Sequence, residues 1–261
     1  MALELYTHRT GDGPPLVVLH GLFGSWENLG TQIRSLAKDY TVYGMDLRNH
    51  GRSPHDDFMD YPTMAADVLH TLDTLGLERT HLLGHSMGGK TAMTVALTAP
   101  ERIDKLVVVD VAPKAYEPGH NEILEAMSTL DVAALKSRSE ADAHVKKWVE
   151  THAIRAFLLK NLVREDQGFS WKLNLPAIIK NYPAIIDFPP LEGPFTGPAL
   201  FLKGAHSDYI QAHDRERINT LFPNATAKLI DGTGHWPHSE KPAVFYKLVS
   251  DFLADTQADP A

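Results

Sequence analysis

Gly84-His85-Ser86-Met87-Gly88-Gly89 decides how the rest of this chain is read. It follows a short apolar run at 80–84 and opens a stretch with helical spacing at 88–99. A tight strand-to-helix turn forces its central residue into strained backbone, and side chains at 84 and 88 would strike neighbouring backbone unless both were glycine. The turn thereby exposes the Ser86 hydroxyl at the C-terminal edge of a sheet. Free N–H groups and the dipole at the start of the following helix favour negative charge there, so the Met87 amide is a candidate oxyanion donor. A glycine-rich turn with an incidental serine is the alternative, and the strand-before, helix-after context weighs against it.

Outward from this turn, apolar runs recur at 15–20, 40–46, 105–110, 199–203 and 227–230, each closed by glycine or polar residues. Runs that are apolar throughout, rather than alternating, predict strands buried on both faces, as in a parallel sheet covered by helices. Helices are expected at 26–38, 63–75, 215–221 and 242–254, besides the one at 88–99. Residues 3–9 read as an edge strand, paired antiparallel, before the Gly11-Asp12-Gly13-Pro14 turn. The class is α/β, a mostly parallel central sheet flanked by helices.

The strand spacing breaks after Asp110 and resumes at Ala199, a gap too long for one crossover. Within it 121–127, 132–135, 140–151, 154–162 and 175–181 have helical spacing, and 168–171 reads as a short turn or strand. The domain reading is a core of 1–113 and 192–261 with a helical cap, 114–191, inserted after the strand that ends at Asp110. The Pro- and Gly-rich 187–198 serves as return linker, and 254–261 is expected to be a loose tail.

Composition narrows the chemistry. With 261 residues and no cysteine, thiol nucleophiles, disulfide scaffolds and Cys-ligated metal or iron–sulfur sites are excluded. The chain carries 25 Lys+Arg against 33 Asp+Glu, a net charge of −8 without a dense basic cluster. That leaves no electrostatic footprint for nucleic acid. No apolar stretch approaches the ~20 residues of a membrane span. The first residues have neither a basic segment nor a long apolar one, from which a cytoplasmic location is expected.

A serine hydroxyl is a poor nucleophile unless a base takes its proton. Of the 14 histidines, His235 follows the last strand and precedes the last helix, in Asp231-Gly232-Thr233-Gly234-His235-Trp236. That placement completes the chain order serine, acid, histidine. His8, His55, His120, His144, His152 and His213 read as surface residues, and His70 as a helix residue. His20 and His85 flank backbone functions and read as loop-holding. No histidine pair suggests a metal site. The loop His20-Gly21-Leu22-Phe23-Gly24 lies at the same sheet edge, where the Leu22 amide can pair with that of Met87. Substrate-contacting candidates adjoin these groups: Phe23, Trp236, His20 and His85. The run Asp46 to Ser53 is expected to form a salt-bridged supporting loop, with Arg48 and Arg52 near Asp46, Asp56 and Asp57.

Val18-Leu19-His20-Gly21-Leu22-Phe23-Gly24, Asp46-Leu47-Arg48-Asn49-His50-Gly51-Arg52-Ser53, Gly84-His85-Ser86-Met87-Gly88-Gly89, Val109-Asp110-Val111-Ala112-Pro113 and Gly234-His235-Trp236 occur in this order. With them the chain resembles, over nearly its whole length, the α/β-hydrolase superfamily, and within it the bacterial YbfF-type esterases and their mitochondrial ABHD11-like relatives. The resemblance implies a serine carboxylesterase or thioesterase with a helical cap and no cofactor. Its substrate would be a small-molecule acyl ester, or a thioester such as acyl-CoA. It says nothing of oligomeric state. Many of these hydrolases carry the acid in a Gly-x-x-Asp pattern after the penultimate strand, but Gly204-Ala205-His206-Ser207 puts serine there and Asp208 falls one residue late. In extended chain that displacement turns a side chain the other way. Asp110 ends a strand at the same edge, and in YbfF-like enzymes the acid occupies that position, with a serine matching Ser207 in its hydrogen-bond network. The resemblance thus implies Asp110 as the acid, Asp208 standing as alternative and Ser207 as support. A carbon–carbon bond hydrolase, lyase or perhydrolase on the same scaffold, and a non-catalytic ligand-binding module, are the rival readings.

Overall fold

In the computed structural model, which describes residues 1–191 and 193–255, the apolar runs of the central strands are buried on both faces. The run at 227–230 departs from that expectation: it lies in the edge strand of the sheet, where residues 226–229 are exposed. The strands are β1 (Thr7–Thr10), β2 (Pro15–Leu19), β3 (Thr41–Met45), β4 (Thr80–His85), β5 (Ile103–Val109), β6 (Leu162–Arg164), β7 (Phe169–Trp171), β8 (Ala199–Gly204) and β9 (Ala225–Ile230). Seven form one sheet in the order β1-β3-β2-β4-β5-β8-β9, parallel throughout except for β1, which runs antiparallel on β3. The helices are α1 (Gly30–Leu36), α2 (Tyr61–Thr74), α3 (Met87–Thr98), α4 (Asn121–Ser128), α5 (Arg138–Val145), α6 (His152–Leu159), α7 (Leu175–Lys180), α8 (Tyr182–Ile186), α9 (Arg215–Leu221), α10 (Pro237–Glu240) and α11 (Pro242–Ala254). This is the alpha/beta hydrolase fold.

Alternate residues of each central strand enter opposite core layers, as the two-residue strand period requires. Val17, Leu19, Leu82, Leu106 and Val108 pack with α2 and α3. Leu16, Val18, Leu83, Val107 and Val109 pack with Ile33 of α1 and with Phe245 and Val249 of α11. The sheet ends carry the polar residues: Asp46, Ser86 and Asp110 each lie just past a C-terminal strand end, where open α/β sheets place their ligands.

Several boundaries differ from the sequence expectation for identifiable reasons. Residues 3–5 do not join the edge strand, because the Leu3 and Leu5 amides donate instead to Asp67 (2.7 Å) and Thr71 (2.9 Å) of α2. The expected helix at 26–38 begins as a 3-10 turn, Trp26–Leu29, before α1. Residues 132–135 form a turn, not a helix. The helix expected at 154–162 stops at Leu159, since 162–164 pair antiparallel with 169–171 in a hairpin. Gly168 makes that hairpin possible: it has φ +71°, and a Cβ there would lie 2.1 Å from the Ala133 carbonyl oxygen. The tail expected at 254–261 lies outside the described residues beyond Asp255.

The long insertion between β5 and β8 is held over the sheet edge by polar bonds as well as apolar packing. The Tyr61 hydroxyl donates to Ile185 O (2.6 Å), Lys90 Nζ donates to Ile186 O (2.9 Å) and Asp187 O (2.7 Å), and the Asn174 amide donates to Asn49 O (3.0 Å). Among the described residues no helix is long and apolar enough to cross a membrane.

Candidate active site

The turn between β4 and α3 has the geometry its glycines dictate. Ser86 sits at φ 54°, ψ −119°, outside the regions comfortable for a side-chain-bearing residue. A Cβ on Gly84 would lie 2.1 Å from Gly88 O, and one on Gly88 would lie 2.5 Å from Leu19 O and His20 O. The Ser86 amide donates to Val109 O (3.0 Å), which anchors the strained residue to β5.

Ser86 Oγ lies 3.1 Å from Nε2 of His235, and Nδ1 of the same ring lies 2.8 Å from Asp110 Oδ2. With Nδ1–H donating to the carboxylate, Nε2 is left to accept from the hydroxyl. Asp110 is fully buried and has φ +53°, which turns its side chain off the strand line toward β8. There it also accepts from the Gly204 amide (2.9 Å) and from the Ser207 hydroxyl, so three donors converge on one carboxylate. Asp208, the alternative acid, points elsewhere: its Oδ1 accepts from Gln211 Nε2 (3.0 Å) at the pocket rim. The one-residue displacement accounts for this, since the Ser207 amide closes a turn on Gly204 O (3.0 Å) and Ser207, not Asp208, faces Asp110.

The loop bearing His235 is held from three sides. Glu240 accepts from the Gly234 amide (2.9 Å) and the Trp236 amide (3.2 Å), and His85 Nε2–H donates to His235 O (2.8 Å). Tyr209 stacks on the His235 ring, with centroids 3.8 Å apart and planes 17° apart.

A cavity of about 260 Å³ opens beside Ser86. Leu22, Met87, Val111, Tyr61, Tyr116, Tyr209, Ile185, Ile186, Lys90, Glu117, Gly119, His120 and Asp208 complete its wall. Neither the Leu22 nor the Met87 amide donates to a protein acceptor among the described residues, and both residues face this cavity with Ser86.

None of the four sequence-proposed substrate contacts lines it. His20 is buried with both nitrogens committed, Nδ1–H to Gly21 O (2.8 Å) and Nε2 accepting from the Leu47 amide (3.0 Å). His85 is occupied with His235 O. Phe23 is buried at φ +61°, its ring against His120, and Trp236 packs outside the cavity against Phe157, with centroids 6.3 Å apart. Adjacency to a site residue holds for Met87, which follows Ser86 and lines the cavity, but not for these four, whose rings are engaged elsewhere. His120, expected at the surface, is half-buried in the cavity wall and bonded to the Tyr182 hydroxyl (2.8 Å).

Burial keeps the surrounding histidines neutral. It lowers His20 to about 4, His50 to about 3 and His238 to about 3, and pushes His85 well below the usual histidine range; neighbouring imidazoles add to the effect for His50, His85 and His238. Lys90, one turn along α3 from Ser86, is lowered to about 7, again chiefly by burial. Its ammonium sits between the faces of Tyr116 (4.6 Å) and Tyr61 (5.4 Å). The loop after β3 is supported differently from the sequence expectation. Arg48 makes a buried bidentate pair with Asp67 of α2 (Nε–Oδ2 2.6 Å, Nη2–Oδ1 2.7 Å), and Asp56 stands off at 3.5 Å. Asp46 accepts backbone amides of Trp26 and Arg52.

The chain belongs to the alpha/beta hydrolase fold family, whose model matches residues 14–242. It is similar to the sn-1-specific diacylglycerol lipase ABHD11 of Xenopus laevis, 43% identical over 249 residues covering 92% of this chain and 80% of the relative. It is also similar to Esterase YbfF of Escherichia coli (strain K12), 38% identical over 242 residues covering 92% of this chain and 93% of that protein. Among solved structures, a marine microorganism esterase superposes with a TM-score of 0.94 at 38% identity, covering 96% of this chain and all of that one. The protein is an esterase- or lipase-type hydrolase.

Proposed function

We propose that this hydrolase cleaves small to medium acyl esters, thioesters such as acyl-CoA included, through an acyl-enzyme on Ser86. The observation that carries the reading is the continuous bonded chain from Ser86 Oγ through the His235 imidazole to Asp110. His235 Nε2 takes the hydroxyl proton as Oγ attacks the acyl carbonyl, and returns it to the leaving alcohol or thiol as that bond breaks. Water then attacks the acyl carbon as Nε2 takes one of its protons, and Nε2 returns that proton to Ser86 Oγ as the Oγ–acyl bond breaks, releasing the acid and free Ser86. Asp110 fixes the tautomer and stabilises the imidazolium, with Ser207 and the Gly204 amide holding the carboxylate in place. The Leu22 and Met87 amides are the donors to the oxyanion. Segment 114–191 acts as the cap over a core made of the rest of the chain, because it contributes Tyr116, His120 and Ile185 to the cavity wall.

The cavity volume supports the acyl size: about 260 Å³ lies below the range of roughly 300–1,000 Å³ that encloses drug-sized ligands. A fluorophosphonate probe tests the reading. It is expected to label the wild-type protein and not Ser86→Ala, and Ser86→Ala should lose turnover of p-nitrophenyl butyrate while melting like the parent. Retained turnover in that variant rejects the acyl-enzyme.

A further inference from the structure

Asn161 lies in the insertion, between α6 and β6, far in sequence from any group that touches the reacting atoms. It is buried, and its side-chain Nδ2 donates to the carbonyl of Phe23 in the loop after β2 (2.8 Å) and to Leu158 O (3.0 Å). Phe23 stands at φ +61°, a conformation a bulky residue keeps only under constraint. Its amide is held by His50 Nε2 (3.2 Å), so both sides of the strained residue are tied.

The bond to Phe23 leads to the site through two peptide groups. The peptide that presents Phe23 O to Asn161 also carries the Gly24 N–H, which donates to Gly21 O (3.0 Å). The Gly21 carbonyl in turn belongs to the peptide that carries the Leu22 N–H. In a trans peptide, C=O and N–H point in opposite directions, so anchoring Gly21 O aims the Leu22 N–H away from its anchors. Leu22 shares the cavity wall with Ser86. Hydrogen bonds in series also polarise one another, which strengthens the terminal donor.

We infer that Asn161 is a positioning residue, which through the Phe23–Gly24 and Gly21–Leu22 peptides aims and polarises the Leu22 N–H toward the substrate oxyanion. This rests on the reading of Leu22 as an oxyanion donor. It makes seating of the insertion a condition for a complete site: a displaced cap leaves Ser86, His235 and Asp110 in register but slackens the donor. His50 fixes the other side of Phe23 from the core, so Asn161 is the contribution that the insertion can withdraw.

The test is Asn161→Leu, which removes the donor at similar volume, with Asn161→Ala as the smaller perturbation should the leucine variant fail to fold. With p-nitrophenyl butyrate, kcat is expected to fall about tenfold, less than the ~100-fold or more for deleting an oxyanion donor outright. KM should stay within about twofold, the mark of an interaction made in the transition state. The inhibition constant of an aryl trifluoromethyl ketone, whose hemiketal mimics the oxyanion, should rise by the same factor as kcat falls. A folded variant with raised KM and a lower melting temperature but unchanged kcat and inhibitor affinity would show that Asn161 merely holds the insertion, and overturns the proposal. Replacing the Leu22 amide by an ester, through incorporation of the corresponding α-hydroxy acid, separates the two layers. Full turnover in that protein rejects Leu22 as donor, whereas lost turnover there with Asn161→Leu unaffected rejects only the relay from Asn161.

Discussion

Acidification should unfold this protein steeply, because its active-site scaffold is built on histidines that the fold holds neutral. A group whose folded pKa lies below its unfolded value binds its proton more readily in the unfolded chain, so its contribution to stability is full above the unfolded value and is lost progressively as pH falls from there to the folded value. His20, His50 and His238 drop from 6.5 to about 4, 3 and 3 in the folded state, with burial the largest cause in each. By linkage each costs about 2 kcal/mol between pH 7 and pH 5, and the three together about 6. His85 acts in the same direction, while Asp46, raised by burial, opposes it near the carboxylate range. Against a typical total of about 5–15 kcal/mol, that is a large fraction. Urea unfolding followed by tryptophan fluorescence at pH 7 and pH 5 measures the loss. His238→Phe isolates one histidine, since its ring packs edge-on against His85 and Phe245 and its Nδ1 is buried without a partner. The variant should be at least as stable as the parent at pH 7 and should lose about 2 kcal/mol less on going to pH 5. A parental loss under about 2 kcal/mol, or an identical pH dependence in His238→Phe, would show that these histidines are not held neutral by the fold.

Three further outcomes follow from the geometry. Asp110→Asn should lower kcat by about 10,000-fold, the order seen when a triad carboxylate is neutralised, while Asp208→Asn should change it less than about twofold; comparable losses in the two would show that Asp110 is not the acid. Lys90, lowered to about 7 by burial, is protonated in the unfolded chain but not in the folded one between that value and 10.5, so stability should rise with pH across this window. Urea titrations at pH 7 and pH 9.5 should show that rise in the parent, and Lys90→Met should flatten it by on the order of 3 kcal/mol. Arg48→Met leaves Asp67 buried without its guanidinium partner and should cost about 3–5 kcal/mol in urea unfolding, far more than Arg79→Met at an exposed pair with Asp104.

What could be read from the sequence divides along a physical line. The sheet and the Ser86 turn were legible because their constraints are local: a strand buried on both faces has to be apolar at every position, and the turn has to have glycine at 84 and 88 to avoid backbone collisions near 2 Å. The insertion was legible only in part: the helices read at 121–127 and 175–181 and the short strand at 168–171 correspond to α4, α7 and β7, but 132–135 and the ends of α5 and α6 do not. Its elements are short, and their ends are set by partners distant in sequence: Gly168 packs under Ala133, and the Lys172 amide donates to Asn161 O (2.8 Å), which turns the expected end of α6 into a hairpin. The cavity wall inherits this, since Tyr116, His120 and Ile185 come from that segment. Asp67 escaped notice as the partner of Arg48 because the pair spans 19 residues and closer carboxylates were available in sequence.

The site shows the same line running between adjacent groups. His235 could be chosen among 14 histidines because chain order is a property of the fold, but the tasks of His20, His50 and His85 depend on which backbone atom each ring meets. Their chemistry explains why they need to stay neutral. His20 Nε2 and His50 Nε2 each accept a backbone N–H, from Leu47 and Phe23, so protonation would set an N–H against an N–H. Both contacts brace the loop that presents Leu22. Acid should therefore loosen this loop before the sheet gives way, and the loss of activity below neutrality should be steeper than the single-proton titration of one catalytic base. A rate profile that follows one proton down to the pH of global unfolding would place these histidines in the scaffold alone and remove their link to turnover.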